Sequence, residues 1–525
     1  MEQLSAQDAQ FLFMEDADIV ANITGAYICD QSTAPDGIVR FRTIVEAIEK
    51  RLEHCPFFRR KLMRVPMELD YPYWVDDPHF DIEYHVRHAR LPHPADWRQF
   101  CIHFARFHSR PLDMGRPLWE VYVVEGLDNV EGAPKGAFAM MAKVHHAAVD
   151  GVAGLQMLGA LMDLTPAGPP AFRYPPRPRR PEPPLSISDI MTRAAFNNAR
   201  SPWRLMEAVG KSSPQIARTL AMARSRKNAP GRSTPASPFN QAASPNKAFD
   251  AVEFSLADFK MIRTAYPEAK INDIVLSVTG GGVRRYLEAK RALPKQSLIV
   301  MAPINARAAS GSGREGAGND ISAMTVPLHT HIAHPVERLK AIVLSTRKSK
   351  AAKDGVGARL LTDLTRQAPS SMMALASRFV AQRVANGEPL ANLIISNVPG
   401  PQAPLYFCGA EMISMFAMAP LSDGMGLFIA APSYNGKLAL CLTSTRQIIP
   451  DTPFFIDCLK EAFEELKAAA LRRLNPPKKK KKAVAAAAIP NPAAPDMPKK
   501  KKKKKKKGEG DGDRPRKNGL DADFH

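Results

Sequence analysis

The apolar positions Phe41, Ile44, Val45, Ile48 and Leu52 recur at three- and four-residue steps, which predicts one buried helix face that Pro56 brings to an end. Trp97, Phe100, Cys101, Phe104 and His108 repeat the period. Residues 137–144, AFAMMAKV, break it with a short and mostly apolar run, the profile of a buried strand. Helical spacing returns from Gly151 to Leu164 through Val152, Leu155, Leu158 and Met162. The segment His145–Asp150 therefore sits where a buried strand hands over to a helix. Further on, a helix starts at Asn272–Asp273, and SLIVMAPI (297–304) and LIIS, ending at Ser396, read as strands. LFIAAPSY and LALCLTST flank Asn435–Gly436 as a hairpin, and an amphipathic helix runs from Phe454 to Leu474.

Composition divides the chain. Residues 165–184, TPAGPPAFRYPPRPRRPEPP, are too rich in proline for a core element, and 230–249 are again turn-rich. The reading is a first lobe at 1–165, a Pro-rich and basic linker at 166–249, a second lobe at 250–474 and a disordered tail at 475–525. The tail holds 17 Lys and Arg against six Asp and Glu, roughly half of the net +21 carried by all 525 residues. Six scattered cysteines without a CxxC read as reduced thiols. The acidic start, MEQLSAQDAQFLFMEDADIV, is unlike a signal peptide, and no apolar run is long enough to span a membrane. Any membrane contact is expected to be peripheral.

The segment with the chemistry is His145-His146-Ala147-Ala148-Val149-Asp150-Gly151, HHxxxDG. Imidazole is the side chain suited to taking and returning a proton near neutral pH. Gly151 allows a sharp turn, and Asp150 can pin the loop through a buried charge pair. A zinc site would need three or four ligands, and no Cys or further His stands at suitable spacing, so no metal is assigned. Gly311–Gly316 fits GxGxxG but is followed by a strand-like segment, which excludes dinucleotide binding. His329, His331 and His334 lack an acidic or Cys companion. Gly280–Gly282 lies inside a helix, where it permits close packing.

HHAAVDG resembles the active-site motif of the CoA-dependent acyltransferase superfamily. LSAQDAQFLFME (4–15), RPLWE (116–120), INDIVLSVTGGGVRRYL (271–287), GNDISAMTVPL (318–328), ISNVPGP (395–401) and SYNGKL (433–438) resemble, in order, segments of the bacterial wax ester synthase/diacylglycerol acyltransferase family. The resemblance implies an α/β fold of mixed sheets, two-lobed and chloramphenicol-acetyltransferase-like, with a tunnel between the lobes. It implies a fatty acyl-CoA-dependent O-acyltransferase acting on diacylglycerol, on a long-chain alcohol, or on both. His146 matches the general base, with His145, Asp150 and Gly151 completing the motif, and Asp150 pairs with an arginine for which Arg307 is the candidate. Asn272 and Asp273 read first as the cap and first turn of a helix, in support of the site. Trp119 reads as a core anchor. The resemblance implies direct transfer, with which the lack of a GxSxG elbow agrees, and it calls for no cofactor.

Two other readings stand beside this one: an acyltransferase for a small or polyketide-like alcohol, and an inactive scaffold whose basic runs bind membrane or nucleic acid. Lys478–Lys482 and Lys499–Lys507 have no interleaved aromatics, so specific nucleic-acid recognition is not expected. An anionic membrane or lipid-droplet surface is the expected partner, and the expected location is cytoplasmic, on the inner membrane face or lipid inclusions.

Overall fold

The apolar run at 137–144 forms the strand Phe138–His145, and all eight residues are buried. A strand apolar on both faces is stable only inside a layered structure. It lies between Asn22–Asp30 and Trp119–Glu125, antiparallel to both. Phe138, Met140, Ala142 and Val144 pack on one side with Ile44 and Ile48 of the helix Phe41–Leu52. Ala139 and Met141 pack on the other side with Phe100 and Phe104 of the helix Trp97–Ser109. The full order of this six-stranded sheet is Tyr406–Phe407, Ala410–Met418, Asn22–Asp30, Phe138–His145, Trp119–Glu125 and Val86–Arg90.

The computed structural model describes residues 2–52, 56–149, 151–168, 186–200, 234–305, 321–353, 369–385 and 389–476. The chain up to Pro476 is one compact unit; the lysine runs, and the tail beyond Pro476, lie outside the described residues. A second six-stranded sheet has the order Ile321–Pro327, Ile299–Asn305, Leu393–Pro399, Phe428–Tyr434, Lys437–Thr445 and Lys247–Ser255. Its hairpin turns at Asn435–Gly436, both at positive φ (41° and 80°), as a two-residue hairpin requires. A three-stranded sheet, Glu2–Gln3, Tyr73–Asp76 and Arg60–Met63, flanks the first lobe.

The lobes share their core. Ala410–Met418, late in the chain, pairs with Asn22–Asp30 of the first sheet, from Glu411 opposite Asp30 to Met418 opposite Thr24. Residues of the second half thus complete the sheet of the first. One apolar cluster combines Phe100, Phe104 and Phe416 with Phe249, Ala251, Phe428 and Cys441 of the second sheet. At its edge Trp97 Nε1 donates to Asp250 Oδ1 at 2.9 Å, and Thr452 Oγ1 donates to Asp250 Oδ2 at 3.1 Å. Lys247 Nζ donates to the Asp18 carbonyl at 2.9 Å.

Parts of the 166–249 stretch belong to the packed structure. Residues 187–200 are helical, and Ile190 and Ala194 pack on Val65 and Tyr73. Phe239 is fully buried in the second lobe. Residues 169–185 and 201–233 lie outside the described residues. The described cysteines are free. No helix among the described residues is long and apolar enough to cross a membrane.

The structure corrects the reading of Asn272 as a helix cap. The helix Ile271–Ala289 starts one residue earlier, with Lys270 at the cap position. Asp273, third in the helix, takes over the capping: its Oδ2 accepts the Lys270 N–H at 2.9 Å, and its Oδ1 accepts from Thr346 Oγ1 at 2.8 Å. A carboxylate at this position reaches back to the cap amide, so no side-chain acceptor is needed there.

Gly280–Gly282 lets that helix approach its neighbours. A Cβ on Gly280 would lie 2.9 Å from the Leu328 carbonyl oxygen, and one on Gly282 would lie 2.5 Å from Leu459 Cδ2. Gly280→Ala should therefore destabilise the protein by about 1–3 kcal/mol, because backbone must move to admit the methyl group. Denaturant unfolding of the variant beside the parent chain measures this, and an unchanged midpoint would contradict it.

Candidate active site

The strand Phe138–His145 hands over to the helix Gly151–Leu161 through the histidine pair. The His145 N–H donates to the Leu118 carbonyl at 3.1 Å, the His146 N–H to the Ala21 carbonyl at 2.7 Å, and the Ala148 N–H to the His145 carbonyl at 3.0 Å. His145 is the last residue of the strand and His146 opens the turn, and the two imidazoles meet different partners. His145 is fully buried. Its Nδ1 accepts the Ala147 N–H at 3.0 Å, so the ring proton is on Nε2, which faces Glu15 Oε1 at 3.2 Å in a contact bent from hydrogen-bond linearity. The Phe11 ring stacks on His146, with centroids 3.8 Å apart and planes 13° from parallel.

His146 keeps a partly exposed surface, yet protein surrounds it. That desolvation, with His145 as a nearby partial charge, pushes its pKa down to about 4. The ring is therefore a neutral proton acceptor across the physiological range.

A band of buried polar groups lies on the His145 face of the strand. Lys143 is fully buried and pairs with Glu120 at 3.1 Å. Its ammonium donates to the Phe107 and Arg110 carbonyls at 3.2 and 3.0 Å and sits 4.7 Å from the Phe107 ring centre. Asn22 Nδ2 donates to the His108 and Arg110 carbonyls at 3.2 and 3.0 Å. These donors satisfy carbonyls at the C-terminal end of the helix Trp97–Ser109, where its dipole is negative. Thr24 Oγ1 and His108 Nδ1 are 2.8 Å apart. Burial, reinforced by Lys247 and Lys143, holds His108 neutral with its pKa near about 3. Burial also lowers that of Lys143, while Glu120 opposes the shift.

Trp119 is buried. Its Nε1 donates to the Phe58 carbonyl at 2.8 Å, and it stacks on His85 at 4.5 Å. A cavity of ≈ 290 Å³ is lined by Leu62, Arg64, Met114 and Gly115. Leu62 and Met114 also belong to the apolar cluster of Phe11 and Ala147. Gly151 begins the helix after the motif, whereas Asp150 and Arg307 lie outside the described residues, as does Gly311–Gly316. Asn272 and Asp273 stand in the second lobe, with Asp273 engaged by the helix start and Thr346. Among the described residues no three His, Cys, Asp or Glu side chains gather as a metal site. His329 Nε2 is 2.8 Å from Ser345 Oγ.

Sequence reasoning assigned no role to Phe11, Glu15, Lys143 or Glu120. The signals were present: Phe11 and Glu15 stand four apart within LSAQDAQFLFME, and Lys143 is the one charge in an apolar run.

The profile of the wax ester synthase/diacylglycerol acyltransferase catalytic domain matches residues 4–275, and that of the WS/DGAT C-terminal domain matches 317–467. A proposed diacylglycerol O-acyltransferase of Mycobacterium tuberculosis (strain CDC 1551 / Oshkosh) is 34% identical over 469 residues, covering 89% of this chain and 90% of its own length. A second from the same strain is 30% identical over 495 residues, covering 91% and 99%. Among solved structures, the wax ester synthase/diacylglycerol acyltransferase of Marinobacter aquaeolei VT8 superposes with a TM-score of 0.64 at 24% identity, over 90% of this chain and 100% of that one. The trichothecene 15-O-acetyltransferase of Fusarium sporotrichioides gives 0.56 at 11% identity, over 89% and 95%. These superpositions place the chain in the two-lobed acyltransferase fold.

The depressed His146 pKa has a consequence for stability. Between the ordinary histidine value of about 6.5 and about 4, the unfolded chain binds a proton that the folded chain refuses. Stability from this group is full above the unfolded value and declines as pH falls through that window. The parent chain should lose more unfolding free energy between pH 7 and pH 5 than His146→Ala, measured by denaturant titration at both pH values. Parallel losses would show that the folded ring accepts its proton freely.

Proposed function

We propose that this chain, which belongs to the wax ester synthase/diacylglycerol acyltransferase family and is an acyltransferase, moves a fatty acyl group from acyl-CoA to the hydroxyl of diacylglycerol, a long-chain alcohol, or both. The observation that carries the reading is His146: a neutral imidazole at the end of a buried strand, held by its backbone and by the Phe11 ring. His146 takes the proton of the acceptor hydroxyl as the oxygen attacks the thioester carbonyl. The tetrahedral oxyanion collapses, the carbon–sulfur bond breaks, and the CoA thiolate receives the proton from the imidazolium. Atoms and charge balance between two substrates and one imidazole, so the step calls for neither metal nor redox cofactor. Asp150 is proposed to pair with Arg307 and fix the motif loop, and Gly151 to allow its turn into the helix. Acyl-CoA and acceptor are proposed to meet in a tunnel between the lobes.

Lipid acceptors reside in a lipid phase, so peripheral contact with an anionic membrane or lipid-droplet surface is part of the proposal. Met372, Leu375 and Phe379 support it. They stand 49, 69 and 60% exposed on the helix Ser370–Ala385, at three- and four-residue steps that share one face. That helix contains Arg378 and Arg383 and no acidic residue, and it packs against Ala6–Phe13, the helix that carries Phe11. Lys478–Lys482 and Lys499–Lys507 would add attraction of ~1 kcal/mol for each Lys near the surface, weakening with salt.

Purified protein given labelled palmitoyl-CoA with diacylglycerol or hexadecanol should esterify at least one of them; transfer to neither would sink the reading. His146→Ala should lose about 10²–10⁴-fold in rate with its circular dichroism unchanged. An active His146→Ala with an inactive His145→Ala would reverse the assignment.

Ending the chain after Pro476 should leave transfer to detergent-dispersed substrate unchanged and reduce binding to anionic liposomes, most at low ionic strength. Equal sedimentation of both chains with such liposomes would remove the lysine runs from the mechanism.

A further inference from the structure

The Glu15 carboxylate stands between the two histidines' supports. Its Oε1 accepts the Ala21 N–H at 2.8 Å. The Ala21 carbonyl in turn accepts the His146 N–H at 2.7 Å. The same Oε1 is 3.2 Å from Nε2 of the fully buried His145. One oxygen atom thus meets the His145 ring directly and the His146 backbone through a single intervening residue. The helix that leads to Glu15 also delivers Phe11 to the His146 ring, so both faces of the motif are fixed by one short N-terminal segment.

We infer that Glu15 is a positioning residue of the acyl-transfer site, facing the protonated Nε2 of His145 and aiming His146 through Ala21. The inference rests on the reading of His146 as general base. The Ala147 N–H at Nδ1 sets the tautomer of this buried imidazole, with the ring proton on Nε2, and a carboxylate 3.2 Å in front of that nitrogen attracts it and holds the ring in place. Fixing His145 fixes the start of the turn, because its carbonyl accepts the Ala148 N–H. A displacement of about 1 Å at the base can cost ~10²-fold in rate, which makes a support this close consequential. Glu15 touches no reacting atom; it acts through its neighbours.

Glu15→Gln retains an oxygen able to accept the Ala21 N–H and to face His145 Nε2, whereas Glu15→Ala retains neither. The full-length variants are compared with the parent for kcat and KM toward palmitoyl-CoA, using the acceptor that the parent esterifies. Circular dichroism is recorded alongside, and the His145 ring nitrogens are read by nitrogen NMR on histidine-labelled protein. Glu15→Ala should lower kcat by about 10–100-fold with KM within about twofold, and Glu15→Gln should remain within about threefold of the parent. His145 should be Nε2-protonated in all three chains, with its Nε2 resonance displaced in Glu15→Ala, where no oxygen faces that nitrogen. Parental kcat in Glu15→Ala, equal impairment of the two variants, losses that only track the folded fraction, or an unchanged His145 Nε2 resonance in Glu15→Ala would each overturn the inference. A parent chain inactive toward every acceptor would defeat the proposed function instead, and the His145 Nε2 resonance would still show whether Glu15 holds that ring.

Discussion

A strand buried on both faces that must also carry a lysine and a histidine sets the terms for everything around it. Lys143 and His145 occupy alternate positions on the same face of Phe138–His145, both fully buried. Leaving a charged group there without partners would cost several kcal/mol. The neighbouring elements are placed to prevent that. Trp119–Glu125 brings Glu120 opposite Lys143 in the antiparallel register, and Asn22–Asp30 brings Thr24 to the other side. The helix Trp97–Ser109 turns its carbonyl end toward the ammonium. Strand order, register and helix direction in the first lobe thus meet at one buried cation. The histidine pair lies a few residues beyond it, at a strand end that cannot slip by one residue without turning Lys143 into the apolar cluster.

The second lobe is tied into the same arrangement. Ala410–Met418 pairs with Asn22–Asp30, and Asn22–Asp30 pairs with the histidine-bearing strand. The shared aromatic cluster and the Trp97–Asp250 hydrogen bond close the joint from the other side. A shift between the lobes would therefore reach the site through one strand and one helix.

The elements with a clear period were legible in the sequence. Ile44, Ile48 and Leu52 point into the core as their spacing requires, the 137–144 run became the central strand, and Asn435–Gly436 turned a hairpin. HHxxxDG stood out because two histidines, an aspartate and a glycine are compressed into seven positions, and the structure places its histidine pair at the end of the central strand. What escaped was non-local. Nothing in the local pattern of 410–418 says that it leaves its own lobe to pair with residues near the start of the chain. Nothing around Lys143 says that its partners are Glu120 and two helix-end carbonyls. The helix start at 271 was misjudged by a residue because a third-position aspartate capped the helix in place of a residue before it. Glu15 went unassigned because its role depends on Ala21 and His145 meeting in space.

A base with a pKa near about 4 looks poorly matched to a hydroxyl, since a general base works best with a pKa near the working pH. The proposed reaction itself removes the mismatch. Burial penalises a lone imidazolium, and in the proposed reaction His146 is never a lone cation. Its proton arrives as negative charge develops on the attacking and carbonyl oxygens beside it, and opposite charges at a few ångströms in a poorly solvated site favour one another strongly. When the thiolate departs it takes the proton, and both charges vanish together. Desolvation then serves two ends: it keeps the ring neutral and ready before substrate binds, and it strengthens the ion pair that exists only during transfer. The Phe11 stack suits both, because an aromatic face shields the ring from water in the resting state and attracts it when it becomes a cation.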